Sequence, residues 1–493
     1  MSRRIPALCL VVLLPLGGCL RPTKPSQGSK TVANPLSTPT DSVEVLAVDV
    51  RPRWVNANPQ VAAVETAAPV PLAGFTALEA PQVEAPAGSV KLTETATVFL
   101  ETDDRSPALG LIAAGTRVSV LDRTIAAGCP QAWLGVAPRG YVCAEFEDTE
   151  LEPSTTLLPR VAQNMRIPGV YGRVAKHALL YSTLADARAN VGGRLAGGGL
   201  MVRRTRRATV KGTHYWQTRQ GWIAAKHIQR FGGSRWEGVE LVGADAEGPA
   251  LPLGWALPEA RLAKVEVKDA PRRNGRVVRR LGRRERVELA TGIAEHGYFA
   301  LRDGSGFIEK ARLAVVTQSE RPEAASSDER WLDIDVSEQT LVAYEGDVPV
   351  YATLISSGKA GHRTPTGVYR LSRKVGERTM NSMADSADSY SVAKVPWTAY
   401  FATGYALHAA YWHDGFGNRK SHGCVNLSPL DARALYAWTA PLVRPGWTEV
   451  YGHEDQPGSV VQIRSRRDKA PATQGYAAAM LETEKSETML AMR

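Results

Sequence analysis

The sequence predicts a mainly β protein, a row of small β modules followed by one larger β domain with short helices. Three observations lead there. The 493-residue chain is rich in Gly (44) and Pro (31) and poor in Phe (8), a composition that favours short strands and turns. Apolar residues alternate with polar ones along many short runs instead of recurring at helical spacing. One pattern of short strands also recurs three times after residue 88. At this length a single core is not expected, so the chain should divide into several domains.

In chain order, Arg3 and Arg4 precede an apolar run, Ile5 to Leu16, that is too short for an ordinary spanning helix, and Leu16-Gly17-Gly18-Cys19 follows. This segment, 1–18, resembles a bacterial lipoprotein signal. The resemblance implies cleavage before Cys19, lipid on its thiol and a mature chain tethered to a membrane in the cell envelope. Export argues against nucleic acid as the partner of the basic clusters (Arg203 to Arg207; Arg272 to Arg286) that carry much of the +10 charge. They suit a carboxylate-rich wall, anionic lipid or simply solvent. Residues 19–87, rich in Pro, Ala, Thr and Val, read as a disordered tether with an end-to-end distance of about 45 Å.

Three units follow, at 88–152, 165–232 and 255–316. Each runs from a short apolar strand through a glycine and alternating apolar residues to an aromatic strand at Trp133, Trp216 or Tyr298. Each closes on Gly140-Tyr141-Val142, Gly221-Trp222-Ile223 or Gly306-Phe307-Ile308. The closing pattern is similar to bacterial SH3-like domains, which implies three small SH3-like β-barrels that bind wall peptides or act as spacers. In an oxidising compartment Cys129 and Cys143 are expected to pair, closing a short hairpin worth about 3 kcal/mol, and Cys424 is left unpaired.

The larger domain spans 329–453. Trp331 to Val336, Thr340 to Tyr344 and Val348 to Ile355 read as strands, with Glu345-Gly346-Asp347 as a turn. Ser428 as N-cap, Pro429 at the first helical position and Asp431 at the third open a short helix. Residues 454–493 read as a flexible tail with at most a transient helix.

The chemistry concentrates in Tyr405-Ala406-Leu407-His408, Tyr411-Trp412-His413-Asp414-Gly415-Phe416-Gly417 and Ser421-His422-Gly423-Cys424-Val425-Asn426-Leu427. A thiol near pKa 8.5 needs a neighbouring base or positive charge to attack at neutral pH. Both His408 and His422 are close enough in sequence to serve. Gly423 permits a tight turn that can gather backbone amides.

A histidine, a spacer and then Ser-His-Gly-Cys-x-Asn resembles the signature of the L,D-transpeptidase (YkuD-like) family, and the upstream Thr364-Pro365-Thr366-Gly367 agrees. The resemblance implies a β-sandwich-like catalytic domain with Cys424 as nucleophile and His408 as base, oriented by the Ala409 carbonyl. It further implies oxyanion amides at His422, Gly423 and Cys424, with Ser421 and Asn426 shaping the loop. Tyr390 would lie over the site or pack as an ordinary core aromatic, Trp412 and His413 would form the pocket wall or support it from behind, and Arg419 would meet a substrate carboxylate or face solvent. Peptidoglycan stem peptides would be the substrate, joined by 3-3 cross-links through a thioester. No metal or organic cofactor is required, and the chain is expected to be monomeric. The same domain could instead trim stem peptides as a carboxypeptidase or attach a lipoprotein. Two readings of another kind compete: a zinc site of His408, His413, His422 and Cys424, and a wall-binding protein whose enzyme domain is inert.

Overall fold

The computed structural model describes residues 88–491, apart from 151, 153, 156–157, 243–247, 261–262 and 382–389. The signal, the tether and Cys19 lie outside the described residues.

The larger domain, joined by a short strand from upstream, is built on two sheets. The first has six strands: β1 (Val239–Glu240), β2 (Arg330–Asp335), β3 (Thr340–Glu345), β4 (Val348–Leu354), β5 (Gly367–Arg370) and β11 (Val460–Arg464), in the order β1-β4-β3-β2-β11-β5. All neighbours are antiparallel except β2 and β11, which run parallel with Leu332 opposite Val461. The second contains β6 (Arg373–Asn381), β7 (Ser391–Ala402), β8 (Tyr405–Ala409), β9 (Val425–Leu427) and β10 (Glu449–Tyr451). Helix α1 (Pro429–Trp438) packs against β7, β8 and β9. Leu332 and Ile334 of β2, Phe401 of β7, Leu407 of β8, Val425 of β9 and Leu435 of α1 share one core. Each such side chain, fully withdrawn from water, contributes about 1.5–3 kcal/mol.

Helix α1 starts as its sequence requires. The Ser428 hydroxyl accepts the Asp431 amide at 3.1 Å, and Pro429 occupies the first turn, where no amide is needed. Asp431 itself is fully buried. It accepts from the Tyr351 hydroxyl (2.7 Å), the Thr353 hydroxyl (2.6 Å) and the Gly238 amide (2.9 Å). Burial raises its pKa to about 6, although these hydrogen bonds pull the other way.

The segment read as a loose tail, 454–493, is corrected by β11. Val460, Val461 and Ile463 are fully buried, and β11 lies between β2 and β5 inside the first sheet. A three-residue apolar cluster so soon after Gly458 is a strand covered on both faces, which leaves no alternation to read. A helix, α2 (Gly475–Ala491), follows, and packs on β5.

The three upstream units each enclose a core. Val90, Leu92, Val98 and Val118 centre the first, Val174, Leu180, Val202 and Ile223 the second, and Val265, Val267, Leu281 and Ile308 the third. Among the described residues none of them closes into a barrel, contrary to the sequence expectation. In the first two, an edge strand pairs with the larger domain instead. Ala108–Ile112 joins β10 antiparallel, and Leu200–Arg203 joins β7 parallel. One sheet therefore runs from the second unit through β7 and β6 into the first unit. The third unit brings Leu253, Trp255, Ala314 and Val316 into a core with Trp331, Tyr344 and Val460. Cys129 and Cys143 are bridged, with Cα atoms 5.6 Å apart.

Candidate active site

Parallel pairing of β8 and β9 sets Leu407 opposite Val425, His408 opposite Asn426 and Ala409 opposite Leu427. Leu407, Ala409, Val425 and Leu427 all point into the core. By the two-residue alternation of strands, His408 and Asn426 take the other face, and Cys424, one residue before β9, falls on that face too. Cys424 and His408 are thus diagonal neighbours on adjacent strands. Their Cα atoms are about 8 Å apart by strand geometry, a gap an imidazole spans.

His408 is 3 % exposed, and its Nδ1 lies 3.2 Å from the Ala409 carbonyl. Burial lowers its pKa to about 4, against the opposing effect of that hydrogen bond. The imidazole is therefore neutral at pH 7 with its proton on Nδ1, and Nε2 keeps a lone pair. The Cys424 thiol is half-buried and lies 3.8 Å from the Gly404 carbonyl. Burial pushes its pKa up, opposed by the Ala406 amide. At rest the pair is a thiol and a neutral base.

The loop before Cys424 is held internally. The Ser421 hydroxyl donates to the Cys424 carbonyl at 2.5 Å and accepts the Gly423 amide at 3.0 Å. This corrects one expectation: the Gly423 amide is bonded to Ser421 and is not presented to a substrate. Gly423 has φ +127°, and a Cβ there would stand 2.7 Å from the Tyr405 ring. Glycine is required for both reasons. The Gly423 carbonyl accepts from the buried Thr364 hydroxyl at 2.6 Å, which in turn accepts the Gly358 amide.

His413 accepts the Gly415 amide at Nδ1 (3.1 Å), and its Nε2 lies 2.9 Å from the Asn426 side-chain amide. Burial lowers its pKa to about 4, so it too is neutral and must carry its proton on Nε2. That proton needs an acceptor, which orients the Asn426 amide with its oxygen toward His413. The same orientation satisfies Asn426 Oδ1, otherwise an unpaired buried acceptor.

Trp412 lies beside His408, ring centroids 5.7 Å apart. Tyr390 lies obliquely against His422 at 4.9 Å, and the His362 ring meets His422 edge-on at 4.7 Å. Arg419 is exposed and donates to the Val336 carbonyl at 2.8 Å. His408, His413 and His422 thus engage different partners. Among the described residues no group of three His, Cys, Asp or Glu side chains is arranged to hold a metal ion.

Sequence reasoning missed His362, the supporting role of Thr364 and, above all, Arg284. Arg284 reaches from the third unit to Asp414, donating to its carboxylate at 2.7 Å and to its carbonyl at 2.5 Å. Ser234 donates to the same carboxylate. Burial alone would raise the pKa of Asp414, but Ser234 and Arg284 outweigh it and hold it below the usual range. The guanidinium lies over the Trp236 and Phe416 rings, and Arg284 adopts φ +62°, uncommon for a side chain of its size. The signal available in the sequence was an arginine cluster, which charge alone could not aim.

Residues 329–463 match the YkuD family, L,D-transpeptidase catalytic domain. The match covers 135 of the 493 residues, so that region is similar to the catalytic domain of this transpeptidase class. Among solved structures, similar ones include an L,D-transpeptidase from Stackebrandtia nassauensis (25% identity, 28% of this chain and 57% of that one, TM-score 0.21). Another is an Enterococcus faecium L,D-transpeptidase (21% identity, 30% of this chain and 54% of that one, TM-score 0.22). A third is L,D-transpeptidase 3 from Mycobacterium tuberculosis with a faropenem-derived adduct (22% identity, 27% and 60%, TM-score 0.22). The chain thus spans little more than half the length of the first two. No curated protein matches it.

Proposed function

We propose that this chain is a cell-envelope L,D-transpeptidase that joins peptidoglycan stem peptides in 3-3 cross-links through a thioester on Cys424. The observation that carries this reading is the β8–β9 face, where a half-buried thiol and a neutral, oriented imidazole lie on adjacent strands of a domain similar to those of the L,D-transpeptidase class. In this reading Cys424 Sγ attacks the carbonyl of the diaminoacid in a stem tetrapeptide. His408 Nε2 takes the thiol proton and passes it to the departing D-alanine amine, leaving a thioester. An amine on a second stem attacks the thioester. His408 takes that amine's proton and returns it to the leaving sulfur, which restores the thiol. The amides of His422 and Cys424 stabilise the oxyanion, since that of Gly423 is occupied.

The lipoprotein-like signal and Cys19 would anchor the chain to a membrane, and the tether would carry it into the wall. The upstream units, SH3-like in their closing pattern, would position the domain among acceptor peptides. The test is incubation of the full chain with tetrapeptide-bearing wall fragments. Dimers linked through diaminoacids, with D-alanine released, are expected, and Cys424→Ser should give neither. Tripeptides without dimers would make it a carboxypeptidase, and cross-links only in the presence of a lipoprotein lysine would make it a protein-anchoring enzyme. Turnover retained by Cys424→Ser would overturn the cysteine mechanism.

A further inference from the structure

Several arginines with little exposed side chain are paired with carboxylates. Arg117 reaches Glu152, Arg370 reaches Glu329, Arg464 reaches Asp333 and Asp335, and Arg284 reaches Asp414. Arg444, in the loop between α1 and β10, is only 8 % exposed, yet among the described residues its buried Nη1 has no hydrogen-bond partner. Burial pushes its pKa down, and no neighbouring charge offsets that effect. A buried guanidinium N–H without an acceptor is costly to keep, and such a group is normally satisfied by something.

Arg444 lines a cleft between the first unit and the catalytic domain. Leu109, Pro138, Trp447 and Val450 form apolar walls, and Arg139 contributes a second guanidinium. The cleft volume is 20 Å³, room for one or two water-sized atoms, as the oxygens of a carboxylate would need. A wider groove of 550 Å³ adjoins it, sharing Pro138 and Arg139 and lined also by Tyr141 and Gly140. Arg139 is already paired with Asp455, so Arg444 is the group that lacks a counter-charge. None of these residues belongs to the Cys424 site.

We propose that this cleft is a second peptide-binding subsite, in which Arg444 receives the terminal carboxylate of a wall stem peptide and the adjoining groove holds the residues before it. The fork of a guanidinium suits a carboxylate, and the adjoining groove has room for the small side chain of a terminal alanine. The proposal rests on the reading that stem peptides are the substrate. Such a subsite would hold a peptide on the enzyme apart from the reacting one and raise the local concentration of strands.

The test uses the full chain carrying Cys424→Ala, with calorimetric titration by Nα,Nε-diacetyl-L-Lys-D-Ala, by its C-terminal amide and by inorganic phosphate. Two equivalents of the dipeptide are expected to bind, falling to one when Arg444→Met is added. Amidation should weaken the Arg444-dependent site at least about tenfold, the loss expected for one charged hydrogen bond. Arg444→Met should not lower the melting temperature of the unliganded chain, because it removes a buried, uncompensated charge. A single equivalent that disappears with Arg444→Met would support the subsite while rejecting peptide binding at Cys424. Stoichiometry unchanged by Arg444→Met would overturn the subsite, as would Arg444-dependent binding that survives amidation. Phosphate binding as tight as the dipeptide's would overturn the peptide assignment.

Discussion

At the residue scale, burial decides which protonation states the site offers. With the His408 pKa near 4, the imidazole remains a base well below the pH at which an exposed histidine would protonate. The acid limb of kcat/KM is therefore expected below about pH 5, and a limb near pH 6.5 would show that His408 is hydrated and not the buried base described here. Replacing His408 by Ala should reduce the rate about 100-fold or more, the usual contribution of a general base, without preventing folding. Comparable turnover in that variant would transfer the role to His422.

The same shifts govern stability. His408 and His413 have folded pKa values near 4, below the 6.5 of an unfolded histidine, so the unfolded chain binds more protons between those values. Their contribution is complete above pH 6.5 and is lost as pH falls toward 4. Asp431, raised to about 6 from 3.8, works in the opposite direction and contributes most below pH 3.8. Two histidines against one carboxyl leave a net uptake of about one proton on unfolding between pH 4 and 6, or about 1.4 kcal/mol per pH unit. Denaturant titrations across that range should show stability falling on acidification. A flat profile would mean the histidines are not held neutral.

At the scale of elements, two contacts fix the reacting loop. Gly423→Ala places a Cβ against Tyr405 in backbone that only glycine adopts easily, a strain of about 1–3 kcal/mol. The expected result is a folded protein that forms the thioester slowly, read by mass spectrometry with a tetrapeptide substrate, and normal acylation would show that the loop has freedom to relax. Arg284→Ala removes two hydrogen bonds from Asp414, next to the His413–Asn426 pair. The rate should fall about tenfold or more, at least the equivalent of one charged hydrogen bond, with the third unit's own core unaffected. An unchanged rate would mean the loop holds its shape alone.

The elements that sequence made legible are those whose pattern is local. Strands β2, β3 and β4 alternate or carry β-formers up to a Gly turn, and helix α1 announces itself through Ser428, Pro429 and Asp431. The motif singles out Cys424 and His408 as candidates, and strand periodicity then explains why they share a face. Strand β11 was hidden because it is buried on both sides. The barrels were expected to close because the sequence shows strands but not their edges, and here edges pair across units. Arg284 and Thr364 act on partners more than 50 residues away, and no local pattern encodes such a contact.

At the scale of the whole molecule, the catalytic region is not separable where its sequence signature ends. Truncation after residue 453 would delete β11 from the middle of its sheet, exposing Ile334 and the rest of a shared core. That chain is expected not to fold, as judged by loss of cooperative melting. Truncation after residue 474 removes only α2 and should leave a cooperative transition lowered by a few degrees. A cooperative 453 truncation would mean that β11 is peripheral.

The short strand β1 has a further consequence for anyone cutting the protein into pieces. It comes from the connector between the second and third units and lies along β4, where Val239 faces Ala352, while the neighbouring Gly238 amide satisfies Asp431. Excision at residue 329 would strip that connector away and leave β4 with a bare row of amides and carbonyls. Unpaired sheet edges recruit other chains, so the minimal fragment should self-associate and precipitate, whereas one beginning near residue 234 should stay monodisperse in light scattering.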